Sequence, residues 1–249
     1  AKVDWRYLLT RDKAVLTDEQ GWLDRQGVRL VVDFSPGLNF YPDLTLLDTL
    51  DFRYNESVAA IDDVLDKMSA LRATDAVFCL HSKPENHCDD ARADDRFLAG
   101  VRDLCRRASA HGITLYLQHH PLKWHGTAEK TLAFIEEIGD DNLRFALNTG
   151  HAMMCGESIE QVHGLLSSLS SMYGESIEHV LELAGTRLGI ILVSAPVTDN
   201  LGQSYDMHAP IAASGLDLSV ITSSGVPIVC DADYHSWDEV YRDIRLLKS

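Results

Sequence analysis

The chain has 249 residues, with 22 Lys and Arg against 38 Asp and Glu, for a net charge of −16 at pH 7. That balance repels phosphate backbones and anionic lipid surfaces, so neither a nucleic acid nor a membrane is an expected partner. No apolar run approaches the ~20 residues that span a bilayer. The length suits one α/β barrel, for which ~250 residues is typical. No Pro/Gly/Ser-rich linker divides the sequence, so a single domain over 1–249 is expected. The five cysteines, Cys79, Cys88, Cys105, Cys155 and Cys230, show no CxxC spacing and read as reduced thiols. With no visible signal peptide, the expected location is the cytoplasm. Nothing in the composition speaks to oligomeric state.

In chain order, a first strand is weakly indicated at 3–9, followed by a helix start at the capping-box pair Thr17 and Gln20. The run Leu30-Val31-Val32-Asp33-Phe34 predicts a strand. A helix over 57–72 follows, with Val58, Ile61, Val64, Leu65, Met68 and Leu71 on one face. Residues 76–81 predict the next strand and 95–110 the next helix. The strand at 113–118 precedes a helix over 127–138, and the strand at 143–148 precedes a long helical region over 158–184 that Gly174 divides. Two more strands are predicted at 189–193 and 227–231, and Ser236 with Glu239 marks the last helix start. The strand runs are nearly continuous in apolar residues, as for parallel strands covered on both faces. Their alternation with helices predicts right-handed βαβ units and a (β/α)₈ barrel whose first βα unit is cryptic or missing.

Several of these strands end in polar residues. One ends at His81, one at Gln118-His119-His120, one at Asn148-Thr149-Gly150-His151, and the last at Asp231-Ala232-Asp233. In a parallel barrel these ends share one rim, where active sites lie. His151 and Asp231 are the candidate proton-transfer residues, and His81, Gln118, His120 and Asn148 the candidate ligand contacts. Gly150 is expected to permit a tight turn that aims Asn148 and His151 into one cavity. Asp206 and His208, two apart on an extended segment, are expected to point the same way.

These residues resemble the xylose isomerase-like TIM barrels, a group holding sugar isomerases, keto-sugar epimerases, inosose dehydratases and abasic-site endonucleases. Leu147-Asn148-Thr149-Gly150-His151-Ala152 is similar to that family's Leu-Asp-Thr-Gly-His-Ala. Thr198-Asp199-Asn200 with Asp206-Met207-His208-Ala209-Pro210-Ile211 is similar to its Lys-Asp-Asn and Asp-x-His-x-Pro-Ile. The resemblance covers roughly residues 20–249.

The resemblance also implies a divalent metal held by Glu, Asp, His and Glu. Here those positions read Gln118, Asn148, no histidine between 180 and 207, and Asp231. Three carboxylates have become one, and neutral amides bind a divalent ion far more weakly. One subset of ligands survives. The endonucleases' separate zinc triad matches His151, Asp206 and His208, so the resemblance implies at most one zinc or other divalent ion, and a site without metal is the alternative. The competing role for His151 is to hydrogen-bond the Asp206–His208 segment and pin it. Three readings are open. The first is an enzyme that isomerises, epimerises or dehydrates a sugar, cyclitol or related polyhydroxy carbonyl compound at an altered metal site. The second is a non-catalytic descendant that binds a carbohydrate or a partner domain. The third is a zinc-dependent phosphodiester hydrolase, which the charge disfavours. A small sugar-like molecule is the expected partner.

Overall fold

In a computed structural model, the described residues are 2–27, 29–35, 51–79, 90–120, 126–154, 177–200, 204–213 and 218–248. The chain divides into two compact units, Ala1–Leu117 with Phe134–Arg144, and Gln118–Ala133 with Phe145–Ser249.

In the first unit the strand expected at 3–9 is confined to the start of that range, and 5–9 is helix. β1 (Lys2–Asp4) runs straight into α1 (Trp5–Leu9), and Asp4 caps that helix by accepting from the Arg6 amide. α2 (Lys13–Gln26) leads to β2 (Val31–Asp33), which pairs parallel with β1 at Lys2↔Val31. β1 is thus present, and the described residues form a parallel sheet of seven strands against the eight expected. α2 starts earlier than Thr17, whose hydroxyl donates back to the Lys13 carbonyl from inside the helix. The Thr17–Gln20 pair was misleading because a Ser/Thr hydroxyl bonds a preceding carbonyl as readily as it caps. α3 (Asp51–Ala70), β3 (Asp75–Cys79), α4 (Asp90–Ala110) and β4 (Thr114–Gln118) follow. β2 pairs parallel with β3 at Val31↔Asp75, and the Thr114 amide donates to the Thr74 carbonyl where β4 begins.

Trp5, Phe34, Leu65, Met68, Phe78, Leu104 and Leu115 are buried, with Trp5 stacked on Phe34. Asp75, also buried, is held by Arg29 Nε and Nη2 at 2.7 Å each and by the Tyr116 hydroxyl at 2.7 Å. These bonds satisfy the carboxylate in the core. Burial and Asp75 together push the Tyr116 phenol well above its usual range.

The second unit carries α5 (Ala128–Ile138, its last turns in the first unit), β5 (Leu143–Asn148, likewise shared), α6 (Ile177–Ala184) and β6 (Leu188–Val193). β6 pairs parallel with β5 and with β9 (Ile228–Cys230), at Leu147↔Ile191 and Ile191↔Ile228. Between them lies an antiparallel hairpin, β7 (Ala195–Thr198) and β8 (Ser204–Ala209), which strand patterning did not predict. α7 (Leu218–Thr222) and α8 (Trp237–Leu246) complete the unit. Ser236 caps α8 as predicted, accepting from the Glu239 amide at 3.4 Å, while Glu239 accepts from the His235 amide rather than from Ser236 itself. The dividing Gly174 and the 158–176 part of the long helical region lie outside the described residues.

Asp243, on α8 and fully buried, accepts from the Ile211 and Ala212 amides and from the Tyr234 hydroxyl at 2.9–3.1 Å. It ties the last helix to the segment after β8. Asp243→Ala leaves three donors without an acceptor and should destabilise by ~2–4 kcal/mol, with Asp243→Asn losing roughly half as much. Urea denaturation of the three proteins reads this directly.

Candidate functional site

The second unit gathers the polar ends of β4, β5 and β9. Asn148 is fully buried, and Gln118, His151 and Asp231 nearly so. The Asn148 Nδ2 donates to Gln118 Oε1 and to Asp231 Oδ2, each at 3.2 Å. Its Oδ1 accepts from the His151 amide at 3.3 Å and from Ser194 Oγ at 3.5 Å. Two neighbours of fixed polarity set this orientation. The His151 backbone N–H can only donate, and an ionised Asp231 can only accept.

Residues 149–154 turn into helix directly after β5. The Thr149 hydroxyl donates to the Ser194 carbonyl at 2.6 Å and accepts from the Ser194 amide at 3.1 Å, stitching the end of β5 to the end of β6. Gly150 serves a different purpose from the turn expected of it. Its φ is not positive, but a Cβ there would lie 2.8 Å from Ser194 Oγ and 3.3 Å from Asn148 Oδ1. The glycine allows close approach.

The histidines are ordered through their backbone partners. His151 Nδ1 lies 2.7 Å from the His119 carbonyl, and His208 Nδ1 lies 2.9 Å from the Asp231 carbonyl. A carbonyl only accepts, so both Nδ1 atoms carry the proton and the basic lone pair of each neutral ring is on Nε2. The His151 Nδ1 bond goes to the His119 carbonyl, and the His208 Nδ1 bond ties β8 to the end of β9. The His208 ring grips the Asp231 carbonyl, and its own carbonyl accepts from Asp233 at 2.7 Å. His208 has φ +43, a left-handed conformation rare outside glycine. The Asp206 side chain lies outside the described residues, as does all of His81.

Ring centroids of His151 and His208 are 6.2 Å apart, and those of His120 and His151 4.4 Å. Among the described residues no group of three or more His, Cys, Asp or Glu is arranged to hold a metal. Gln118, Asn148, His151 and Asp231 are thus brought together, with His120 and His208 at the edge. The sequence reading missed His119, Thr149 and Ser194. Thr149 and His119 stood inside the quoted strand ends, but Ser194 follows an apolar strand with no signal beyond its position.

His119 is buried against Phe145, with centroids 5.7 Å apart, and neither of its ring nitrogens has a partner. Burial, with His151 and His120 nearby, pushes its pKa down to about 3. A histidine depressed from ~6.5 to that level stays neutral when folded but protonates when unfolded. Its contribution is therefore complete above ~6.5 and is lost as pH falls, at about 1.4 kcal/mol per pH unit, down to the folded value. His119→Phe keeps the ring contact and should flatten the fall in melting temperature between neutral pH and pH 4. An unchanged acid profile would show that other groups carry it.

A family model described as a xylose isomerase-like TIM barrel matches residues 4–221. Among solved structures, a D-psicose 3-epimerase with D-tagatose from Clostridium cellulolyticum H10 is similar at 12% identity and TM-score 0.71, covering 99% of this chain and 86% of that one. A D-psicose 3-epimerase in the presence of D-fructose is similar at 15% identity and TM-score 0.67, covering 98% and 78%. A xylose isomerase-like TIM barrel protein from Mycobacterium smegmatis, in complex with magnesium, is similar at 14% identity and TM-score 0.63, covering 96% and 78%. No curated protein matches the sequence at a significant level. Likeness at these identities establishes the α/β barrel fold.

Proposed function

Because the chain belongs to the xylose isomerase-like TIM barrel family, we propose that it acts on a sugar, cyclitol or related polyhydroxy carbonyl compound, by isomerisation, epimerisation or dehydration, at an altered metal site. The observation that carries this reading is the convergence of Gln118, Asn148, Asp231 and His151 at the ends of β4, β5 and β9. Each of these reactions moves a proton beside a carbonyl. His151, oriented through the His119 carbonyl with its basic nitrogen at Nε2, takes or returns that proton. Asp231 supplies the second acid–base group. Gln118, His120 and Asn148, with His81, contact ligand hydroxyls. The solved relatives named above with D-fructose and D-tagatose support a sugar as the ligand class.

The family's divalent ion does not fit the residues at its usual position. Gln118 and Asn148 are neutral, Asp231 is the single carboxylate, and the Asn148 NH₂ group is aimed at the oxygens that would have to bind the ion. A hard cation needs that charge and those lone pairs to offset its dehydration. A transition metal, where one binds, is held by His151, Asp206 and His208; it occupies the His151 Nε2 lone pair and leaves Asp231 as the acid–base group in that state. The two imidazoles support this, because each gives Nδ1–H to a backbone carbonyl, the outer-partner arrangement of histidine ligands. Zinc in that place would polarise a carbonyl or acidify a water.

Incubation with ketoses and inososes in D₂O, followed by NMR, tests the enzymatic reading. Exchange at the carbon beside the carbonyl is expected for the wild type and should fall by roughly 10²-fold or more in His151→Ala. If sugars raise the melting temperature with no exchange, the protein is a carbohydrate-binding descendant instead. If neither occurs, the ligand class is wrong.

Zinc titration of metal-free protein tests the triad separately. His151→Ala and His208→Ala should each abolish stoichiometric uptake. A wild type that takes up no zinc removes the triad reading.

A further inference from the structure

We propose that the Asn148 side-chain amide stands in for the divalent cation, its NH₂ group drawing together the Gln118 and Asp231 oxygens that an ion would otherwise organise. The argument rests on bond polarity. Nδ2 lies 3.2 Å from both Gln118 Oε1 and Asp231 Oδ2, so one nitrogen bridges two acceptors from two different strand ends. The amide cannot turn over. A flipped side chain would aim its NH₂ at the His151 amide, a donor 3.3 Å from the present Oδ1, and its carbonyl oxygen at the Asp231 carboxylate. Both contacts would be repulsive, in a place where Asn148 is fully buried and water cannot relieve them.

The far side of the amide is fixed as well. Ser194 Oγ reaches Oδ1, the Ser194 peptide is clamped by Thr149, and Gly150 has no Cβ to push Ser194 away. The orientation is therefore built by four residues of the β5–β6 junction. An ion entering between Gln118 and Asp231 would have to displace a donor that its surroundings hold in place.

A site of this kind meets a ligand with one carboxylate and fixed neutral amides. It suits uncharged hydroxyl groups bound by hydrogen bonds, independent of divalent ions. This assignment rests on the altered-metal-site reading above. A failed exchange assay would remove the enzymatic part of that reading and leave the result below untouched.

The test uses manganese(II) as the probe on the intact chain. In the wild type, the Asn148 side-chain NH₂ signals in a nitrogen-edited NMR spectrum should persist with one equivalent of manganese. The melting temperature should be the same in manganese as in EDTA. Asn148→Asp sets one carboxylate against another and should melt several degrees lower in EDTA. Manganese should restore it, with an affinity about tenfold or more above that of the wild type. Paramagnetic loss of the Asn148 signals at one equivalent that persists in His208→Ala, where the separate triad is broken, would overturn the proposal. So would an Asn148→Asp protein that melts like the wild type in EDTA. If Asn148→Asp does not fold, the NMR titrations decide alone.

Discussion

The arrangement of the second unit's polar site depends on one side chain with two incompatible ends. Asn148 has a donor end and an acceptor end, and its neighbours accept no exchange of the two. The His151 amide demands an oxygen and the Asp231 carboxylate demands a hydrogen. Once that orientation is set, Gln118 must present Oε1, and Asp231 must keep Oδ2 turned inward. The positions of three strand ends are thereby expressed in one buried network. A fully connected network of this kind is rigid, and a partly connected one would be costly in a low-dielectric interior.

Around that centre the backbone does work usually assigned to side chains. The His119 and Asp231 carbonyls choose the tautomers of His151 and His208, and so put both basic nitrogens at Nε2. His208 reaches its carbonyl from a left-handed backbone position, and the Asp233 amide closes the loop on it. Strain of about 1–3 kcal/mol at such a residue persists only where its surroundings over-determine it. His119 is the other expense. Its carbonyl is used, yet its ring is buried with both nitrogens unpartnered. Burial holds that ring neutral.

The same chemistry recurs away from the site, in a purely structural setting. Asp75 in the first unit and Asp243 in the second are both buried carboxylates, and each is surrounded by donors from several elements. Neither stands at the polar strand ends. The contrast separates a carboxylate that holds elements together from Asp231, which faces an amide across strand ends and lies beside a histidine.

Much of the architecture was legible in the sequence because burial on both faces leaves a continuous apolar run, which local composition records. The parallel strands at 31–33, 75–79, 114–118, 143–148, 188–193 and 228–230 all fall within or against such runs. β1 was faint because three residues are too few to show a period. The hairpin β7–β8 was missed because it is partly exposed and carries no apolar run: Val197 and Met207 face outward. The polar strand ends were legible too, since Gln118, Asn148, His151 and Asp231 each interrupt an apolar pattern. What the sequence by itself determined was therefore which elements form and which polar types stand at their ends, for these follow from local patterning. Only the tertiary structure decided that Asn148 turns its NH₂ toward Gln118 and Asp231, that His151 Nδ1 meets the His119 carbonyl, and that Gly150 is needed for Ser194. Each of these depends on the polarity or bulk of a residue about 30 or more positions away, and no local pattern encodes which distant group arrives, or which of its ends faces in.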